Sequence, residues 1–170
     1  HAAGMGPPVE REVVRGMMLL RARTLAMGRS GARPEVAEAI LALLNAGITP
    51  AVPEHGSLGA SGDLAPLAHC ALALIGEGEA FAPDGDRLPA TEALGAAGIE
   101  PLVLTAKEGL ALINGTDGIL GMLLLAIWDL RGLLRAADVA AAMSVEALLG
   151  TDRAFAEDLI ALRPQPGQAV

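Results

Sequence analysis

The chain has 170 residues, of which 52% are hydrophobic and 2% aromatic, and its formal net charge is −8. An acidic chain with so few aromatic side chains is poorly suited to bind nucleic acid or an anionic membrane surface, so neither partner is expected. Its length suffices for one hydrophobic core, and the abundance of Ala and Leu predicts a mainly α fold. Cys70 is the only cysteine, which excludes an internal disulfide. The scarcity of cysteine predicts a cytoplasmic protein.

The two ends of the sequence indicate an internal piece of a longer protein. The chain starts at His1 rather than at a methionine, and it ends in RPQPGQAV. A basic region followed by an apolar run is missing from the start, so a signal peptide is not predicted there. We therefore expect residues 1–170 to be a single internal segment of a longer protein.

Two amphipathic helices are predicted in the first third of the chain. The first begins near Val9 and ends at Gly28, and the second opens at Pro34 and ends before Gly47. The spacing of apolar residues assigns their buried faces. These are Val13, Met17, Leu20, Thr24 and Met27 in the first helix, and Val36, Ile40, Leu43 and Leu44 in the second.

Residues 48–62 are rich in Pro and Gly, which predicts a loop. A third helix follows from about Asp63 to Ile75. The Pro-Asp-Gly turn within residues 76–90 predicts a short β-hairpin, and residues 91–97 form a short helix before Gly98.

A long helical region is predicted over residues 105–149, interrupted at NGTDG (114–118). Its most apolar run, GILGMLLLAIWDL, is too short to span a membrane and predicts a buried central helix. A helix that is apolar on nearly all sides needs neighbours on all sides. We expect other segments of the longer protein, or other subunits, to supply them.

The glycine-rich stretch HGSLGASGDLAPLAH begins at His55 and fits none of three familiar site motifs. A dinucleotide fingerprint needs G-x-G-x-x-G after a strand, and a P-loop needs Gly-Lys-Ser/Thr. A nucleophile elbow needs G-x-S-x-G, but the residue two positions after Ser61 is Asp63. Metal ligation is not predicted either, because His1, His55 and His69 are widely separated. We expect His69 to be a packed or capping histidine and Cys70 to be a small buried hydrophobe.

The segment GSLGASGDLAPLAH does resemble the signature of the aromatic amino acid ammonia-lyase family. The resemblance implies that Ala60-Ser61-Gly62, in the loop 54–63, condenses autocatalytically into 4-methylideneimidazol-5-one, an electrophilic prosthetic group. It implies no metal and no added cofactor. Gly62 would supply the attacking amide nitrogen and Ser61 the departing hydroxyl, while Gly59 permits unusual backbone angles.

Asp63 lies where the N-cap of the third helix would be. The positive end of that helix would increase the electrophilicity of the ring. Two roles for Asp63 remain open at this point, namely an ordinary helix cap and a group that moves protons during the dehydration.

The resemblance extends over essentially the whole chain, through blocks such as HAAGMGPP, KEGLALINGT and LRPQPGQ in the order found in histidine ammonia-lyases. It implies a large, mainly α, L-aspartase/fumarase-like fold. It also implies a homotetramer with shared active sites, which converts L-histidine to trans-urocanate and ammonia. The choice of histidine rests chiefly on HAAG and RPQPGQ.

Two further site residues follow from the resemblance. Asn114 would lie near the ring and the substrate and donate from its buried amide, whereas Asn-Gly alone would indicate a turn. His1 would line the pocket for the substrate side chain. The sequence departs from the family at Asp117 and Gln165, where Gln and His are expected, and this leaves the substrate preference open.

The family's catalytic tyrosine lies outside the segment that this chain matches, and the chain contains no Tyr. A second tyrosine, a substrate-binding arginine and a carboxylate would also lie outside. The isolated segment is therefore expected to be inactive. The alternatives are a ring-dependent aminomutase, a phenylalanine or tyrosine ammonia-lyase, and a non-catalytic helical scaffold.

Overall fold

The computed structural model describes residues 3–165 and residue 167, and helices dominate them, as predicted. Two compact units are formed, His1–Leu125 and Ala126–Val170. The helices are α1 (Arg11–Ala26), α2 (Pro34–Asn45), α3 (Leu64–Leu74), α4 (Ala90–Ala96), α5 (Glu108–Ile113), α6 (Asp117–Ala147) and α7 (Glu157–Ile160). A 3₁₀ turn at Asp152–Phe155 precedes α7.

The core of the first unit is built around α1, α2 and α3, and the buried face of α1 differs from the predicted one. Thr24 and Met27 are exposed, whereas Val14, Met18 and Leu25 are buried. Towards the end of α1, the residues chosen by spacing no longer lie on the side of the helix that faces the core. In α2 the prediction is confirmed, because Val36, Ile40 and Leu43 are buried and Leu44 is half-buried.

Short strands join distant parts of the chain. Strand β1 (Met5–Pro8) pairs antiparallel with β3 (Pro53–His55). The predicted hairpin is confirmed as β4 (Glu79–Phe81) and β5 (Arg87–Pro89), and β2 (Thr49–Pro50) completes a sheet in the order β2-β4-β5. Strands β2 and β3 lie within the predicted loop 48–62. They were not predicted, because elements of two or three residues are too short to produce an alternating pattern.

Helix α6 is exposed over most of its length in the described residues, which agrees with the expectation that other segments or subunits supply its neighbours; its burial in the longer protein stays a prediction. Its buried residues are Asp117, Gly118 and Gly121, all in its first two turns. Large apolar side chains such as Leu123, Trp128 and Leu134 are exposed. The helical stretch Glu108–Ala147 is also long and apolar enough to cross a membrane by length and composition alone, although the core helix of a large protein meets the same criterion. The apolar run itself is too short to span a membrane, but the helix that contains it extends well beyond that run.

Candidate functional site

The glycine-rich loop connects β3 to α3 and changes from exposed to buried within a few residues. Ala60 and Ser61 are exposed, whereas Gly62 and Asp63 are buried. Gly59 and Gly62 have φ values of +65° and +113°, a region in which side chains are strained. The loop therefore presents Ser61 at the surface of the chain while its following peptide is fixed in the interior.

Gly62 packs directly against the turn between α5 and α6. A Cβ atom added to Gly62 would lie 2.6 Å from the carbonyl oxygen of Gly115. The same oxygen accepts a hydrogen bond from the backbone N–H of Asp63, with an N···O distance of 2.7 Å. Only glycine fits at position 62, on grounds of both space and backbone conformation.

The carboxylate of Asp63 is buried and bridges its own loop to the start of α6. It accepts hydrogen bonds from Ser57 Oγ at 2.6 Å and from the backbone N–H of Ile119 at 2.9 Å. Asp63 does occupy the N-cap position of α3, as predicted, but its side chain makes no capping bond to that helix. It satisfies one of the free N–H groups of α6 instead. Two helix N-termini, those of α3 and α6, therefore adjoin Asp63.

A buried ion pair lies behind this turn. Arg21 of α1 and Asp117 at the start of α6 approach to 2.5 Å, and each side chain is 6% exposed. Burial raises the pKa of Asp117, against the opposing effect of the nearby Arg21 charge. Asp117 replaces the Gln expected from the family resemblance, and its carboxylate points to Arg21.

Arg21 also binds the backbone at the end of α5. Its Nη1 donates to the carbonyl oxygens of Ala111 and Asn114, both at 3.0 Å. Neither Arg21 nor the turn carbonyl of Gly115 was identified from the sequence. The available signal was an arginine spaced four residues after Met17, on the apolar face of α1.

One predicted site residue, Asn114, stands apart from the buried cluster, and another lies outside the described residues. Asn114 is exposed among the described residues, so the expected buried amide is not found there, and its backbone oxygen accepts from Arg21. Its neighbour Gly115, rather than Asn114 itself, contacts the loop at Gly62. His1 lies outside the described residues.

Two residues that were assigned structural roles have the expected surroundings. Cys70 is buried, and burial raises the pKa of its thiol to about 12. His69 is half-buried in α3, and burial lowers the pKa of its imidazole. Both therefore favour their neutral forms at neutral pH.

A cavity of about 70 Å³ lies beside the carboxylate of Asp63. Pockets for small organic ligands typically measure about 300–1,000 Å³, so this cavity is too small for an amino acid. Its apolar lining includes Val9, Val13, Met17, Val52, Ile119 and Met122. The Asp63 residue beside this cavity is itself buried.

Comparison with known proteins gives one family over the whole chain. The family model described as aromatic amino acid lyase matches residues 1–170. A histidine ammonia-lyase from Streptomyces griseus is 64% identical over 170 residues, covering 100% of this chain and 33% of that protein. A histidine ammonia-lyase from Deinococcus radiodurans is 56% identical, covering 98% of this chain and 32% of that protein. The chain thus spans about a third of the length of these relatives.

Solved structures agree in fold. The histidine ammonia-lyase of Trypanosoma cruzi superposes with a TM-score of 0.92 at 42% identity, covering 97% of this chain and 32% of that one. A tyrosine aminomutase from Streptomyces globisporus gives a TM-score of 0.91 at 42% identity, covering 98% and 31%. The helical architecture, the glycine-rich loop and the family match agree, and the chain belongs to the aromatic amino acid lyase family.

Proposed function

We propose that this chain is the ring-forming segment of a histidine ammonia-lyase, an enzyme that converts L-histidine to trans-urocanate and ammonia. The observation that carries the proposal is the loop at Ala60-Ser61-Gly62. There an exposed serine precedes a buried glycine that has a φ of +113° and no room for a side chain. Such a conformation persists only where the surrounding structure imposes it.

The residues of the loop fit the condensation that the family requires. The Gly62 nitrogen bonds to the Ala60 carbonyl carbon, and the Ala60 oxygen leaves as water with the N–H protons of Gly62 and Ser61. A second water takes the Ser61 hydroxyl and its Cα hydrogen, which leaves the exocyclic methylidene. Gly62 suits the first step because it presents no Cβ beside the attacking nitrogen. When formed, the ring supplies an electrophile for the amino group of the substrate.

The neighbouring residues have defined tasks in this proposal. The carbonyl of Gly115 and the carboxylate of Asp63 hold the peptide after Gly62 in place. Ser57, six residues earlier in the loop, donates a hydrogen bond from its Oγ to the Asp63 carboxylate. Asp63 is the proposed group that moves protons during the dehydration, because its carboxylate lies beside the loop. Asn114 remains a proposed substrate-side residue, and His1 a proposed pocket residue.

The choice of histidine as substrate rests on sequence identity. Relatives named histidine ammonia-lyase are 64%, 63% and 61% identical to this chain in three Streptomyces species. A phenylalanine aminomutase from Pantoea agglomerans is 34% identical.

An aminomutase that uses the same ring is the second candidate. The tyrosine aminomutase structure is as similar to this chain as the Trypanosoma cruzi lyase, at 42% identity each. Fold similarity therefore does not separate the two reactions. The products do separate them, because a mutase returns ammonia to the β-carbon and yields a β-amino acid.

We further propose a cytoplasmic homotetramer. The support for assembly is the long apolar surface of α6, which includes Leu123, Trp128, Leu134, Val139 and Met143. Exposed apolar patches of this extent usually mark interaction surfaces. In the proposed enzyme, the remaining two thirds of the protein and the other subunits cover this surface.

The experiment is product analysis with the full-length protein. Incubation with L-histidine should release trans-urocanate and ammonia, and the Ser61→Ala variant, which has no hydroxyl to lose, should release neither. The isolated 170-residue chain should also be inactive. Formation of a β-amino acid would identify the mutase, and preferential turnover of phenylalanine or tyrosine would contradict the histidine assignment.

A further inference from the structure

The guanidinium of Arg21 organises the turn that contacts the ring-forming loop. It binds the carbonyl oxygens of Ala111 and Asn114 and pairs with Asp117. The first two are among the unpaired carbonyls at the C-terminal end of α5, and Asp117 lies in the first turn of α6. One cation therefore holds the end of one helix against the start of the next.

Gly115 lies between this ion pair and the loop, with no space for a side chain. A Cβ atom at Gly115 would overlap Arg21 Nη2 and Asp117 Oδ2. On its other side, the Gly115 oxygen lies against Gly62 and accepts from the N–H of Asp63. A continuous set of contacts thus runs from Arg21 through Gly115 to Gly62.

A buried ion pair of this kind needs an explanation other than stability. Moving two charges out of water costs about as much as their attraction returns, so such pairs contribute little net stability. What the pair does provide is a fixed geometry, because Arg21 is 5% exposed and binds three groups from a planar fork.

We propose that Arg21 and Asp117 are positioning residues for ring formation, which hold the Gly115 carbonyl so that the Gly62 backbone is fixed for its condensation with Ala60. This inference rests on the proposed function, since it assumes that the two waters are lost from Ala60-Ser61-Gly62. It assigns to the pair no contact with substrate.

The test measures ring formation in the full-length protein by the mass of the peptide that contains residues 60–62. The Arg21→Met and Asp117→Asn variants should lose the two waters at least about tenfold more slowly than the unmodified protein. That factor corresponds to about 1.4 kcal/mol in the barrier. The Arg21→Lys variant should be intermediate, because a single ammonium cannot bind all three partners.

Two controls separate positioning from stability. Arg15→Met removes another arginine of α1 that donates to a backbone oxygen, that of Leu44 at 3.0 Å, and ring formation should be unchanged. Leu43→Ala destabilises the core elsewhere, and folded protein should still form the ring. If Arg21→Met does not fold, Arg21→Met/Asp117→Leu removes both charges and should fold without efficient ring formation.

Folded Arg21 and Asp117 variants that form the ring at the normal rate would overturn the inference. It would also be overturned if all four variants of the pair failed to fold, since the pair would then serve folding itself. If the unmodified protein never loses the waters, the proposed function fails, and this result is distinct from either outcome above.

Discussion

The carbonyl oxygen of Gly115 lies so close to Gly62 that a Cβ atom at position 62 would be 2.6 Å from it. The same oxygen binds the N–H of Asp63. This contact joins the loop before α3 to the turn before α6, over more than fifty residues of sequence. It makes residue 62 the most constrained position of the proposed ring-forming tripeptide.

Replacing Gly62 by alanine should therefore affect both stability and ring formation. The left-handed φ and the overlap with Gly115 should together cost about 1–3 kcal/mol or more in the free energy of unfolding, and the tripeptide should keep both waters. Thermal unfolding and peptide mass measure the two effects.

Gly59→Ala is the matched control for that substitution. Its φ is +65°, but the nearest atom to an added Cβ is 3.9 Å away, so only the backbone strain of about 1–2 kcal/mol applies. Equal losses of stability at the two positions would show that the Gly115 contact is unimportant.

The carboxylate of Asp63 should matter more for α6 than for α3. Asp63→Ala leaves the Ile119 N–H and Ser57 Oγ without their acceptor, and it should cost about 1–3 kcal/mol in the free energy of unfolding. Ser57→Ala removes only one donor and should cost less. Hydrogen exchange at the Ile119 amide should accelerate in Asp63→Ala and remain slow in Ser57→Ala. Faster exchange confined to the first turn of α3 would contradict this assignment.

The organisation of the chain could be predicted from sequence much better than its long-range polar contacts. Helices α2 and α3 and the β4-β5 hairpin follow from apolar spacing and turn residues. The acceptor role of Asp63 could not be predicted, because its partner Ile119 is 56 residues away, whereas capping rules consider only the local helix. Asp117 was noted only as a departure from a family pattern, since nothing local connects it to Arg21. The apolar pattern of α6 predicts neighbours outside these residues, but periodicity does not identify which segments or subunits they are.

A second buried carboxylate, Glu108, should make stability depend on pH. It is 1% exposed and accepts hydrogen bonds from Arg33 Nε at 2.8 Å, Arg33 Nη2 at 2.9 Å and the Thr105 N–H at 2.8 Å. The bonds from the Arg33 side chain, with that from the Thr105 backbone, hold the pKa of Glu108 well below its usual range.

The sign of the effect follows from this depressed pKa. The stabilisation is complete above the ordinary glutamate pKa of about 4.3. It is lost as the pH falls from there through the depressed value, because the unfolded chain takes up the proton first. Denaturant unfolding between pH 7 and pH 3 should show the loss, and Glu108→Gln should reduce it. The exposed Glu100→Gln is the control and should leave the pH dependence unchanged. An identical pH dependence in Glu108→Gln would refute the prediction.

Cys70 should be protected from alkylation in the folded protein. Its thiol is buried, and its pKa is raised to about 12, so little thiolate is present to react. Iodoacetamide at pH 8 should modify the peptide that carries Cys70 slowly under native conditions and rapidly in denaturant. Equal rates under the two conditions would mean that the helix α3 face carrying Cys70 is open to solvent.

The most direct test of the central claim is the mass of the peptide that contains Ala60-Ser61-Gly62, isolated from the full-length protein. We expect it to be lighter than its sequence by two waters, and we expect the same peptide from Ser61→Ala to lack the methylidene-forming loss. A tripeptide that retains both waters in folded, assembled protein would contradict the assignment of this loop as the source of the electrophile.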